Sequence, residues 1–141
     1  MKSLKLFSFA LLAVVVVLGT SCGKYEEGPG FSLMTKNARV AGVWKLEKYV
    51  SANGTVTNAE ADDNTTFEFT KDGSVIITYM DGGVSFTVNG TWEFTKDKEY
   101  IKTTTTFFGQ TSVDEVKILR LTNKEFWTVD DDGDETHLIP A

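Results

Sequence analysis

The chain has 141 residues, with 20 Asp or Glu against 14 Lys or Arg for a net charge of −6, and it holds one cysteine and one histidine. An acidic balance of this size repels nucleic acid and argues against a nucleic-acid partner. One cysteine excludes an internal disulfide, and with one histidine it also excludes Cys-His machinery and multi-histidine metal sites. A chain of this length makes one domain that buries roughly two thirds of its unfolded surface, enough for a core without staples.

The first 21 residues read as a signal peptide. Lys2 and Lys5 give a positive start, Leu6 to Leu18 form a 13-residue apolar run, and Gly19, Thr20 and Ser21 lead into Cys22. This is the three-part grammar of secretion. The run is short of the roughly 20 residues a membrane span needs, so the expectation is export rather than insertion. Cys22 has two readings. Ordinary cleavage would leave an odd thiol in an oxidising compartment, where a free exposed thiol is a liability. The other is lipidation: Leu18, the small residues and Cys22 resemble the processing site of bacterial lipoproteins, in the relaxed spacing of Bacteroidota members. That resemblance implies that Cys22 becomes the acylated first residue, held in the membrane at about 0.8 kcal/mol per buried CH₂ of its palmitate-like chains. Removing the leader leaves 120 residues and a net charge of −8.

Residues 22–33 then read as the lipidated cysteine and a flexible tether, since "GKYEEGPGF" is glycine-rich and nearly devoid of apolar residues. Glu26 and Glu27 resemble the acidic stretch that sends some Bacteroidota lipoproteins to the outer face of the outer membrane, although a merely solvated linker is the simpler reading. The expected location is the cell envelope, at the outer membrane, with surface display as the further possibility these acids raise.

Residues 34–141 carry the folded domain. "SLMTKNARVAG", from Ser32 to Gly42, offers a serine cap and a glycine stop and predicts one short helix. Nine strand-like runs follow: Val43–Ser51, Thr65–Thr70, Ser74–Met80, Val84–Val88, Thr91–Thr95, Tyr100–Phe107, Val113–Thr122, Glu125–Val129 and Glu135–Ile139. Asp72-Gly73, Asp81-Gly82-Gly83, Asn89-Gly90, Gly109-Gln110 and Asp132-Gly133 read as hairpin turns. The polar stretch Ala52 to Asn64 reads as a longer loop or lid. Alternation puts Trp44, Leu46, Phe67, Phe69, Val75, Ile77, Tyr79, Phe86, Val88, Trp92, Phe94, Ile101, Thr103, Thr105 and Phe107 on one face, with "VKILRL" at Val116 to Leu121 breaking the rhythm as a bulge would. A meander with one apolar face removes its exposed edges by closing, so the fold class is all-β: an antiparallel up-and-down barrel of about eight strands after a short N-terminal helix.

Gly42-Val43-Trp44, on the first strand after a helical segment, resembles the lipocalin signature. "TTFEFTKDG", "NGTWEF" and "ILRLTNKEFWTV" extend the likeness to the lipocalin-like domain carried by many Bacteroidota lipoproteins, over roughly Val40 to Pro140. The resemblance implies a cup open at one end, with Gly42 and Trp44 as its structural signature. In lipocalins a late-strand arginine lies across the sealing tryptophan; Arg39 and Arg120 are the candidates here, and neither follows the final strand.

Catalytic residues do not present themselves. His137 reads as a surface or strand-end residue, no Gly-x-Ser-x-Gly elbow occurs, and neither Asp62-Asp63 nor Asp114-Glu115 has the spacing of a proton-transfer pair. The expectation is therefore no enzyme and no cofactor. Asp130 to Glu135, "DDDGDE", could hold Ca²⁺, but it lacks a glutamate twelve positions along and reads better as a solvated hairpin, so no metal is expected. An eight-stranded interior either fills with side chains or holds one small ligand. The candidate ligand-binding residues are Phe69, Tyr79, Phe86, Trp92, Thr103, Thr105, Phe107 and Trp127, with the two threonines leaving space where bulkier residues would not. The expected partners are a membrane, through the lipid anchor, and a small hydrophobic or amphipathic ligand. The alternative is a filled barrel acting as an interaction or structural module of the cell envelope.

Overall fold

The computed structural model describes residues 33–60 and 64–141; the stretch read as a signal peptide, Cys22, the stretch read as a tether up to Ser32, and the Asp62-Asp63 pair lie outside them. A five-residue helix α1, Lys36–Val40, precedes the sheet. Its cap is Thr35, whose hydroxyl accepts from the Ala38 amide at 3.2 Å. Gly42 does not stop the helix but opens the first strand. So short a helix does not persist alone in water. It is held from outside: Val40 is fully buried, its carbonyl accepts from Trp44 Nε1 at 2.8 Å, and Arg39 Nη1 donates to the Leu121 carbonyl at 2.9 Å.

Nine strands follow: β1 Gly42–Val50, β2 Val56–Asn58, β3 Thr66–Phe69, β4 Ser74–Asp81, β5 Val84–Thr95, β6 Tyr100–Phe107, β7 Gln110–Leu121, β8 Phe126–Val129 and β9 Glu135–Pro140. Every pairing is antiparallel, and β9 returns to β1 from Trp44↔Pro140 to Val50↔Glu135. The result is the expected closed, eight-strand antiparallel barrel. The ninth strand, β2, pairs with the last residues of β1 on the edge whose first residues hold β3.

Two local features differ from expectation. Asn89-Gly90 is no turn, because β5 runs straight through it and joins the two runs expected on either side. Gly90 lies opposite Val75 and Thr105, where an added Cβ would overlap the Thr104 carbonyl oxygen and press on the Thr105 methyl. Its glycine serves close strand approach rather than a positive φ. The stretch from Ala52 to Asn64 is not a free lid, since β2 stitches part of it to the wall. The hairpin between β5 and β6 turns through Lys96, Asp97 and Lys98 at φ of 47°, 60° and 64°, three consecutive left-handed residues without a glycine. The bulge expected in β7 is present as a register shift between Ile118 and Arg120, and a second falls in β1 between Leu46 and Lys48.

Candidate ligand-binding face

The end of the barrel nearest α1 is filled. Phe126 meets the rings of Trp44 and Phe69 edge-on at 5.7 and 5.8 Å, and Phe69 meets Trp92 at 5.9 Å. Around them pack Val40, Val75, Ile101, Ile118, Leu121 and Leu138. Edge-to-face contacts of this kind add to simple burial. Trp92 also donates its Nε1 to the Thr70 carbonyl at 2.9 Å, locking the ring in place. Phe69 and Trp92 are thus structural members of this plug, each about 6% exposed.

Above the plug the packing thins. Tyr79 stacks on Phe86 at 5.5 Å and meets Phe107 at 6.5 Å, and all three rings are only half-buried. Residues directly across a β ladder share a face. Trp92 is opposite Thr103, which is opposite Asp114; Gly90 is opposite Thr105, which is opposite Ser112. Thr103 and Thr105 therefore join Tyr79, Phe86 and Phe107 on the concave face, and Ser112 and Asp114 join them from β7. Ser112 Oγ donates to Asp114 Oδ2 at 3.3 Å. These last two were not expected in the site. The signal was available, since Val116 alternates inward with Asp114 and Ser112, but it needed the strand register to be seen.

The wall around this face is uneven. The β3 ladder reaches only Thr78 on β4, and the β8 ladder begins only at Lys117 on β7. Strands β4 to β7 consequently rise beyond their neighbours. At the tip of β6 and β7 an open groove is lined by Phe107, Phe108, Gln110, Thr111 and Ser112. A second surface cleft lies at the opposite end, between α1 and the left-handed turn, lined by Thr35, Lys36, Asn37, Asp97 and Lys98.

Trp127 does not belong to the concave face. Its neighbour Phe126 points into the plug, so Trp127 points outward, stacked on the His137 ring at 4.1 Å with the Arg120 guanidinium 5.2 Å from its centroid. His137 is neither at a strand end nor at the surface. It sits within β9, 5% exposed, with Nε2 2.6 Å from Glu135 Oε2. The arginine at the sealed end is Arg39, supplied by α1 to the end of β7, while Arg120 pairs with Glu125 at 2.7 Å. In the acidic turn, Asp130 Oδ1 accepts from the amides of Asp132 and Asp134 at 3.0 and 2.9 Å, and Asp134 Oδ1 accepts from Ala52 at 2.9 Å. These carboxylates brace two neighbouring turns. Among the described residues, no group of three or more metal-binding side chains comes together.

On the outer face, Lys96 Nζ reaches across the Tyr100 ring, 3.9 Å from its centroid, to Glu115 Oε1 at 2.6 Å. Hydrogen bonds from Lys96 and then Thr95 hold the Glu115 carboxyl below its ordinary range, and Lys96 is correspondingly raised. The Lys102–Glu93 pair at 2.5 Å likewise raises Lys102.

A closed eight-strand cup plugged at one end, with a tryptophan on its first strand, is the architecture of a lipocalin. The lipocalin-like domain family matches residues 40–127, and the chain belongs to that family. No curated protein matches it. Among solved structures it is similar to a lipocalin-like protein from Bacteroides uniformis ATCC 8492, at 18% identity over 73% of this chain and 99% of that one, with a TM-score of 0.61. An uncharacterized protein from Bacteroides eggerthii DSM 20697 follows at 19% identity, covering 72% and 98%, with a TM-score of 0.58. Insecticyanin from the tobacco hornworm Manduca sexta shares 16% identity over 85% of this chain and 69% of that one, with a TM-score of 0.58. At such identities the likeness establishes a shared fold.

Proposed function

We propose that this protein is an exported lipoprotein, held at the outer membrane through acylated Cys22, whose barrel binds a small hydrophobic or amphipathic molecule and performs no catalysis. The observation that carries the binding reading is the half-buried strip of Tyr79, Phe86 and Phe107 standing above a tightly filled plug. Apolar surface left open beside a packed core gains roughly 25 cal/mol per Å² when a guest covers it. The lipocalin-like fold supports the same reading, being a fold known for small hydrophobic ligands. The anchor reading is carried by the leader and by the lone Cys22 behind it.

Native mass spectrometry of protein purified from its own cell envelope tests both parts. The expected result is a retained small molecule together with a chain that begins at an acylated Cys22. A chain whose Cys22 is unmodified overturns the anchor. A bare barrel that also takes up no apolar probe overturns the binding reading. Protease added to intact cells tests surface display, which requires that the protein be removed.

A second reading is favoured by the β6–β7 tip of the tall wall, where Phe108 in the turn and Val113 on the outer face are 86% and 58% exposed. Exposed apolar residues grouped at one place commonly mark an interaction site. On that reading the barrel docks another envelope component, and substituting Phe108 and Val113 with serine abolishes an assembly while leaving uptake of apolar probes unchanged.

A further inference from the structure

The concave face of β4 to β7 carries carboxylates and no cation. Asp114 lies on it beside Thr103, and Asp81 lies on it opposite Val84, two positions beyond the Tyr79–Phe86 pair. The basic residues of these four strands, Lys102, Lys117 and Arg120, all fall on the outer face, in register with Glu93 and Glu115, with Tyr100 and with Trp127 respectively. The turns at the open end, at residues 51–55, 82–83, 108–109 and 130–134, contain four aspartates and no Lys or Arg. A guest at the aromatic strip therefore meets hydroxyls and carboxylates, and no Lys or Arg, on the concave face of β4 to β7.

We propose that the guest is a cationic amphiphile, with an apolar body against Tyr79, Phe86 and Phe107 and a protonated amine directed to Asp114. This rests on the reading that the barrel binds an amphipathic ligand, and it narrows the class. The ring faces attract a cation through their quadrupoles. The hydroxyls of Thr103 and Ser112, which flank Asp114, are placed to accept the two remaining N–H groups of the ammonium. A carboxylate head would be brought beside Asp114 and Asp81 without a counter-charge, so fatty acids are turned away. Low-dielectric walls focus the field of the rim into the cup and strengthen this discrimination.

The test uses the chain with Cys22→Ser, which removes the acyl anchor and leaves the barrel residues unchanged. Dodecylammonium, dodecanol and dodecanoate, each below its micelle threshold, are titrated calorimetrically at low and high salt. The amine is expected to bind tightest and the carboxylate weakest, with about tenfold or more between them at low salt and a smaller gap as salt rises. Asp114→Asn should shrink the gap between amine and alcohol, with a cooperative thermal unfolding transition showing that the variant is folded. Equal or tighter binding of dodecanoate overturns the proposal, as does a preference for the amine that Asp114→Asn leaves untouched. If none of the three binds, the underlying reading of an amphiphile-binding barrel falls instead.

Discussion

Gly90 shows how one residue type can serve two physical ends. Asn-Gly ordinarily signals a tight hairpin, because glycine tolerates positive φ. Here Gly90 is not among the positive-φ glycines, and its missing Cβ makes room for the β6 backbone. Gly90→Ala should therefore cost about 1–3 kcal/mol as overpacking, read as a lower denaturant midpoint. Local sequence carries both meanings, and only the neighbouring strand decides between them. Trp127 was illegible for a related reason. The bulge at Ile118 to Arg120 shifts the facing of the partner strand, so an aromatic run gives no indication of which ring looks inward. Glu115 supplies a prediction in pH. Its folded pKa is depressed, so its contribution is present above the unfolded value near 4.5 and is lost as pH falls through the lower folded value. The melting temperatures of the native chain and of Glu115→Gln should differ at neutral pH and converge on acidification below that range; a constant difference would remove Lys96–Glu115 as the cause.

At the scale of elements, what was legible came from periodicity and what was missed came from tertiary contact. The strands of the meander follow from alternating side chains and turn residues, and their boundaries agree closely with β4, β6 and β9. Strand β2 could not be read, because "VTN" has neither length nor alternation and exists only through β1. Helix α1 was expected, but its stability is borrowed from Trp44 and Leu121. Trp44→Phe keeps most of the ring and removes the hydrogen bond to the Val40 carbonyl, leaving a buried acceptor unsatisfied at a cost of about 1–3 kcal/mol. Hydrogen exchange should report it first as faster exchange in residues 36–40; unchanged exchange there would mean that burial of Val40 alone secures the helix. The turn at Lys96 to Lys98 offers the reverse experiment. A non-glycine residue in the left-handed region costs about 1–2 kcal/mol, so Lys98→Gly should raise the melting temperature by relieving part of that strain. A fall would show that the Lys98 side chain contributes more than its backbone costs.

Considered whole, the barrel divides into a half that maintains the fold and a half that is available for binding, and energetics should separate them. Phe126→Ala in the plug should cost about 3–5 kcal/mol, the usual range for a buried phenylalanine. Phe86→Ala on the half-buried face should cost distinctly less in thermal unfolding and still abolish uptake of apolar probes; equal costs would mean that both halves are core. Closure was legible because nearly every strand has one apolar side, which leaves a meander little alternative to curling upon itself. The division into halves was not, since Phe69 and Tyr79 are equally aromatic and equally inward, and only their height along the strands separates filler from lining. The short reach of β8 beside β7 has its own consequence. A cup with an even rim admits molecules only through its top, and its circumference limits their girth. This one is lower where β8 stops short of β7, so a long-tailed molecule could slide in sideways there with much of its length still hanging outside, and barrel volume would then set no ceiling on guest size.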